Sequence, residues 1–459
     1  MTPMHLTKVM SSKWSALVFL VIVGGLLHFT WLNHPDSVVF DEVHFGGFST
    51  SYCCSGKYFF DIHPPHGKLI IAGFAKLLGY QGLDDFASIN NSYSPEAAVG
   101  LRSAPALAGT LIPLVIFVLI GQLGGSPGTA FLGAVLFLLD NALLLQTRII
   151  VLDGFLVLFT FSCLSCFLGA MRQTTLHGRL LLFALAGILA ACAVGTKFTG
   201  LVALGLVGVI ALVDLAKTFS LAHLSGWLIA GLCFLVPCVL IYCIGWELHF
   251  RLLTEPGPGD IWGKLSGDYI TDFLDLHQKM FSANTGLSHT HPDASPWWSW
   301  PWMVTPIFYW AENQNWIYLI GNPVLWWLIS VLFIVAIVTS LLRKISDLGV
   351  HSDEETQHYL LWIPLLGYIA SFMPMAAVSR VLFLYHYYTP LVFSSLFVVL
   401  WLESIGAIRR RGITNQRWSY YAFLALLLAG FVIISPMTYG IMGDSPVKEA
   451  IFRILPGWR

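Results

Sequence analysis

Long apolar runs and short polar breaks alternate along the chain from end to end. Each run is about 20 residues, enough to cross a hydrocarbon layer of about 30 Å as a helix. They predict about eleven spans, near 15–32, 102–121, 128–146, 150–170, 180–196, 199–216, 226–246, 323–342, 358–378, 381–402 and 418–440. The apolar stretch from Lys68 to Tyr80 is too short to span and is expected along the interface. The first run has no small-residue cleavage site and leads straight into a polar loop, so it reads as a retained span. Two breaks are long, 33–101 and 247–322. With no internal repeat, low-complexity tract or soluble module in sight, residues 1–459 read as one all-α polytopic membrane domain.

Basic residues in the short breaks set the orientation. Lys8 and Lys13 precede the first span. Arg172 and Arg179, Lys217, Arg343 and Lys344, and Arg409, Arg410, Arg411 and Arg417 fall in alternate later breaks. This pattern places the amino terminus in the cytosol, and the carboxyl terminus and both long loops outside.

Composition narrows the class. The chain is 56% hydrophobic and 11% charged, with mean hydropathy +0.74. A soluble protein needs more charge on its surface. The net charge of -1 gives no electrostatic case for nucleic acid. No G-x-G-x-x-G element follows a strand, so no cytosolic nucleotide-sugar domain is expected. Seventeen Trp and sixteen Tyr suit interfacial anchoring. The run Trp297, Trp298, Trp300, Trp302, with Trp310 beyond it, is expected at the membrane surface; shaping a sugar or peptide site is the alternative. Cys163, Cys166, Cys192, Cys233, Cys238 and Cys243 read as small core residues. Cys53 and Cys54 are adjacent, and a bridge between neighbours is geometrically rare, so they are expected to be unpaired.

The chemistry concentrates after the first span. Asp41-Glu42-Val43-His44-Phe45 is followed by Phe60-Asp61-Ile62-His63-Pro64-Pro65-His66-Gly67-Lys68. Acids at a membrane surface are costly unless they act. The Pro pair denies Asp61 and His63 an ordinary helix and fixes a shaped polar loop. Such carboxylates are candidates for base catalysis.

D-E-x-H-F with F-D-x-H-P-P-x-G-K-L resembles the first external loop of the protein O-mannosyltransferases, and the resemblance extends over most of the chain. It implies the type-C glycosyltransferase (GT-C) fold and transfer of mannose from a polyprenyl-phosphate sugar to Ser or Thr hydroxyls. It also implies that Asp41 is the base, with Glu42 beside the acceptor and Arg102 on the lipid phosphate. Asp61, His63 and the Pro pair match the family's loop motif. Arg148, Asp153, Lys197, Arg380 and His386 resemble its other patches. The chain departs from eukaryotic members in one respect. Its second long loop is too short for their β-trefoil insertion, which suggests the compact prokaryotic form in a bacterial plasma membrane.

Topology adds a reason of its own. Arg102, Arg148, Asp153, Lys197, Arg380 and His386 are all expected on the face that carries Asp41. Fixed cations there suit a lipid-phosphate leaving group. Asp61, His63, His44 and Asp153 are then candidates for positioning substrate. Blander roles stand beside these: a solvated acid pair for Asp41-Glu42, loop orientation for His63, mutual pairing for Arg148 and Asp153, and snorkelling for Arg380. His44 and His66 match no compact metal-ligand spacing, and neither a metal nor another cofactor is expected. The expected partners are the lipid donor, a Ser/Thr-bearing acceptor protein, the bilayer and the secretion machinery. One alternative is another GT-C transferase acting on a lipid or glycan. A transporter or flippase is the other, and it would require midplane charges and a repeated half.

Overall fold

The computed structural model describes residues 13–286, 291–346, 355–408, 414–455 and 458. Lys8, Arg409, Arg410 and Arg411, and the side chains of Arg343, Lys344 and Arg417, lie outside the described residues. Among those described, eight helices are long and apolar enough to cross a membrane. Three shorter apolar helices fall where further spans are expected: Lys13–Phe29, Pro127–Leu138 and Leu361–Ala377.

The amino-terminal half carries α1 (Lys13–Phe29), α2 (Glu42–Thr50), α3 (His66–Leu77), α4 (Pro95–Gln122), α5 (Pro127–Leu138), α6 (Asn141–Gln146), α7 (Asp153–Arg172), α8 (Leu176–Thr196), α9 (Leu201–Lys217) and α10 (Leu221–Leu252). Capping explains where several of these depart from the apolar pattern. α4 starts at Pro95 rather than Arg102, because Ser94 accepts the Ala97 amide and proline suits the first helical position. The run 128–146 is broken at Asp140, whose carboxylate takes the Leu143 amide and starts α6. The same carboxylate accepts from the Asn322 amide and the Trp326 indole, tying this break to the second half.

The remainder holds α11 (Tyr269–Gly286), a two-stranded antiparallel sheet of β1 (Ile307–Glu312) and β2 (Asn315–Leu319), then α12 (Ile329–Ser346), α13 (Glu355–Phe372), α14 (Tyr388–Ser404), α15 (Thr414–Tyr439) and α16 (Pro446–Ile454). Asn313 and Gln314 both have positive φ, as a two-residue hairpin requires. α4 packs against α1, α3, α5 and α7, while α14 is buried along nearly its whole length. α3 covers the expected interfacial stretch and buries Lys68, Ile71, Ala72 and Ala75 along one side.

Two expectations change. Cys53 and Cys54 are joined as a disulfide within a π turn, Ser51–Ser55. The aromatic run also divides: Trp298 is largely exposed, whereas Trp300 and Trp310 are buried. The Trp310 indole donates to Ser37 Oγ at 2.9 Å, so this residue braces the first loop instead of lying in lipid.

Orientation is open to direct measurement. A cysteine at exposed Ser88, in a chain cleared of accessible native cysteines, is expected to react with an impermeant thiol reagent on intact cells, while one at exposed Thr174 stays unlabelled. The reverse pattern would move the first loop to the cytosol.

Candidate active site

Asp41 sits at the N-cap of α2, yet its side chain makes no capping bond. Phe40 before it holds a positive φ of 44°. That conformation is maintained from the second loop: the Phe40 amide donates to the Tyr309 carbonyl, and the two rings stack at 4.1 Å and 5°. The Asp41 side chain is only partly covered. No hydrogen bond or ion pair engages its carboxylate among the described residues. Burial is the main influence on it, followed by the lowering effect of Lys197 and the raising effect of Asp153 and Asp61; the net result is a pKa pushed up to about 7.

Glu42 faces the other way. A helix turns about 100° per residue, so neighbours on it point to different surroundings. Glu42 is fully buried. Its carboxylate takes Arg102 Nε at 2.8 Å and a second guanidinium nitrogen at 2.9 Å. It also accepts the Val39 and Ile150 amides and the Tyr93 hydroxyl. Arg102 gives its remaining donors to the carbonyls of Leu32, Pro35 and Ser37. Arg102 was expected on a lipid phosphate and Glu42 beside an acceptor. Both are instead spent inside the protein, where they tie the Asp41 loop to the 147–152 turn.

Arg148 is likewise occupied. It donates to the carbonyls of Leu27, His28 and Trp31 and lies over the Tyr439 ring at 4.4 Å. It does not pair with Asp153. That carboxylate accepts from Lys197 Nζ at 2.7 Å and Gln146 Nε2 at 2.9 Å. Gln146 in turn accepts the Tyr309 hydroxyl at 2.7 Å. Lys197 also lies over the Tyr385 ring, which carries it toward the carboxyl-terminal half.

Asp61 is ion-paired with Lys68, which also donates to the His63 carbonyl at 2.7 Å. Lys68 lies near the faces of Phe48 and Phe59, and burial pulls its pKa down while Asp61 holds it up. His63 stays neutral: burial, then the charges of Lys197, Lys68, Arg380 and His386, keep its pKa well below the usual value. Lys197, Lys68, Arg380 and His386 thus all lie close enough to His63 to act on it electrostatically. His386 is oriented by the Phe383 backbone and stacks on Trp300. Arg380 is partly covered, with no hydrogen bond or ion pair among the described residues.

His44 and His66 part company. His44 is exposed and stacks on Phe48. His66 is buried, donates from Nε2 to the Ile241 carbonyl, and fills a slot between α8 and α10. Gly195 and Gly245 form that slot, since a Cβ on either would stand 2.2 Å from the ring. No group of three His, Cys, Asp or Glu residues suited to a metal occurs among the described residues.

Among the described residues the cluster therefore contains one carboxylate and one guanidinium with no internal partner, Asp41 and Arg380. Around them stand two satisfied ion pairs, Asp61–Lys68 and Asp153–Lys197. Sequence reasoning missed Gln146, Tyr309 and Tyr93. Gln146 alone carried a signal, as an amide inside an apolar run.

Comparison with known proteins now adds a family. Residues 18–254 match the family model of dolichyl-phosphate-mannose-protein mannosyltransferases, and residues 269–458 match the model of the C-terminal four-span region of protein O-mannosyltransferases. Mannosyltransferase 4 of Schizosaccharomyces pombe is 29% identical over 61% of this chain and 39% of its own length. Mannosyltransferase 4 of Candida albicans is 32% identical over 54% of this chain and 34% of its own. The chain thus spans well under half the length of these curated relatives. Among solved structures, the Saccharomyces cerevisiae protein O-mannosyltransferase Pmt1–Pmt2 complex bound to the sugar donor aligns over 99% of this chain and 94% of that one, with a TM-score of 0.90 at 19% identity. An Archaeoglobus fulgidus oligosaccharyltransferase aligns over 96% of this chain and 59% of its own, with a TM-score of 0.56 at 13% identity. ArnT of Cupriavidus metallidurans bound to undecaprenyl phosphate aligns over 96% and 76%, at 0.51 and 16%. These likenesses show the GT-C fold of a multi-pass membrane protein, and the match over residues 18–254 shows that the chain belongs to the dolichyl-phosphate-mannose-protein mannosyltransferase family.

Proposed function

We propose that this chain transfers mannose from a polyprenyl-phosphate-mannose donor to Ser or Thr hydroxyls of proteins on the outer face of a plasma membrane. Acceptors would reach that face through the secretion machinery. The observation that carries the reading is the Asp41 carboxylate, without a partner among the described residues, under the influence of Lys197 and with its pKa pushed up to about 7. In the reaction, the acceptor oxygen attacks the anomeric carbon. Its proton goes to Asp41, and the bond from that carbon to the phosphate oxygen breaks with its electron pair on the phosphate. One displacement inverts the configuration. The phosphate needs no general acid, so the two-carboxylate scheme of glycosidases is not required. Arg380, whose guanidinium has no partner among the described residues, is the group left to meet the phosphate charge, and Lys197 can add a donor that its pair with Asp153 leaves over. Asp153, His63 and Asp61–Lys68 hold the surrounding geometry.

The direct test is incubation of purified chain with labelled polyprenyl-phosphate-mannose and a Ser/Thr-rich peptide. Label in the peptide is the expected result. Label passing only to a lipid or glycan would assign the chain to another GT-C reaction. Arg380→Ala is expected to raise the donor KM by roughly tenfold or more while the peptide KM changes little, since a charge-assisted contact to phosphate is lost. Unchanged donor kinetics would remove Arg380 from the phosphate site.

A further inference from the structure

The end of the bundle remote from Asp41 contains a second cationic feature. α4 runs from Arg102, beneath the site, to Gln122, a rise of about 30 Å. α7 runs from Asp153, which holds Lys197, to Arg172, again a rise of nearly 30 Å. α1 ends beside Arg148 and begins at Lys13, about 20 Å back along its axis. Three helices thus carry Lys13, Gln122 and Arg172 away from the candidate site by a distance comparable to the hydrocarbon thickness of a bilayer.

A groove of about 470 Å³ opens there, lined by Lys13, Trp14, Phe117, Val118, Gln122 and Arg172 among others. Among the described residues no carboxylate lines it. The nearby Glu403 is buried, and both its oxygens take the Ser126 amide, at 3.0 and 3.1 Å. Lys13 makes no hydrogen bond or ion pair among the described residues. Arg172 has one long contact, 3.5 Å to the Gly121 carbonyl. Trp14 is 78% exposed beside them. Two cations whose charge meets no carboxylate thus stand at the mouth of an apolar slot.

We propose that this groove binds one anionic phospholipid of the leaflet opposite the active site. Its phosphate would lie between Lys13 and Arg172, with an acyl chain along Phe117 and Val118. The charge argument selects an anionic headgroup. A zwitterionic one would bring its own ammonium against two cations with no carboxylate in the lining to receive it. The apolar slot selects a lipid over free phosphate, which would leave that surface unfilled.

The test reads lipid retention, not transfer, so its result is independent of the proposed activity. Full-length chain is delipidated in detergent, given phosphatidylglycerol or phosphatidylcholine, and weighed intact by native mass spectrometry. One retained phosphatidylglycerol is expected, preferred over phosphatidylcholine by roughly tenfold. Lys13→Gln with Arg172→Gln should abolish the preference, while Lys217→Gln, outside the groove, keeps it. Inorganic phosphate should not compete. As a second readout, brominated phosphatidylglycerol should quench a share of the fluorescence that Trp14→Phe removes. Equal retention of the two lipids, or full preference in the double variant, overturns the proposal. A dimer that the double variant separates would also overturn it, by making the groove a protein interface.

Discussion

Asp41→Asn is expected to lower single-turnover transfer by about 10²–10⁴-fold while leaving donor affinity nearly unchanged. The side chain keeps its size, so the fold should hold. What is lost is the ability to accept the hydroxyl proton. In the proposed reaction, binding of the donor rests on Arg380 and Lys197, which the substitution does not touch. The pH profile supplies a second sign. A base must be deprotonated to act, and Asp41 has its pKa raised to about 7. Wild-type kcat/KM should therefore climb about tenfold per pH unit below that value and level off above it. Asp41→Asn should flatten this rise. Full activity in the variant, or a wild-type profile flat from pH 5 to 8, would take the base role away from Asp41.

The second large effect belongs to Arg102. Arg102→Ala leaves the Glu42 carboxylate buried without its cation and frees three backbone carbonyls. Breaking one side of a buried pair costs about 3–5 kcal/mol. The expected result is a large drop in melting temperature in detergent, with transfer lost because the Asp41 loop and the 147–152 turn come apart. Arg102→Lys should fall between, since it keeps the charge and loses the fork. Two outcomes separate positioning from phosphate binding. An unchanged melting temperature with a selectively raised donor KM would put Arg102 on the substrate after all.

The sequence was most legible where chemistry is local. Asp41, Asp61 and His63 stand out because acids and prolines are costly beside a membrane, and the loop that holds them is continuous in the chain. Lys197 and Arg380 were reached through topology: counting spans places them on the same face as Asp41. Counting cannot tell which way a side chain turns once it arrives. Arg102, Arg148 and Glu42 lie at the expected level but point inward, and only the carbonyls and amides around them show it. Helix lengths followed apolar runs except where a cap intervened, as at Ser94 and Asp140. The roles of Gln146 and Tyr309 depend on contacts between distant segments, and periodicity holds no trace of such contacts. The Cys53–Cys54 bridge ran against the geometric expectation for neighbouring cysteines.

The stacking of Phe40 on Tyr309 has a consequence for biosynthesis. Asp41 leaves the ribosome well before its brace, since Tyr309 follows Phe40 by 269 residues. At about 5–20 residues per second, the two are separated by on the order of ten to fifty seconds. Throughout that interval the nascent chain carries its acid without the strand that shapes its backbone. Under the proposed function, the order of translation would keep a half-made chain idle until the second loop has been made.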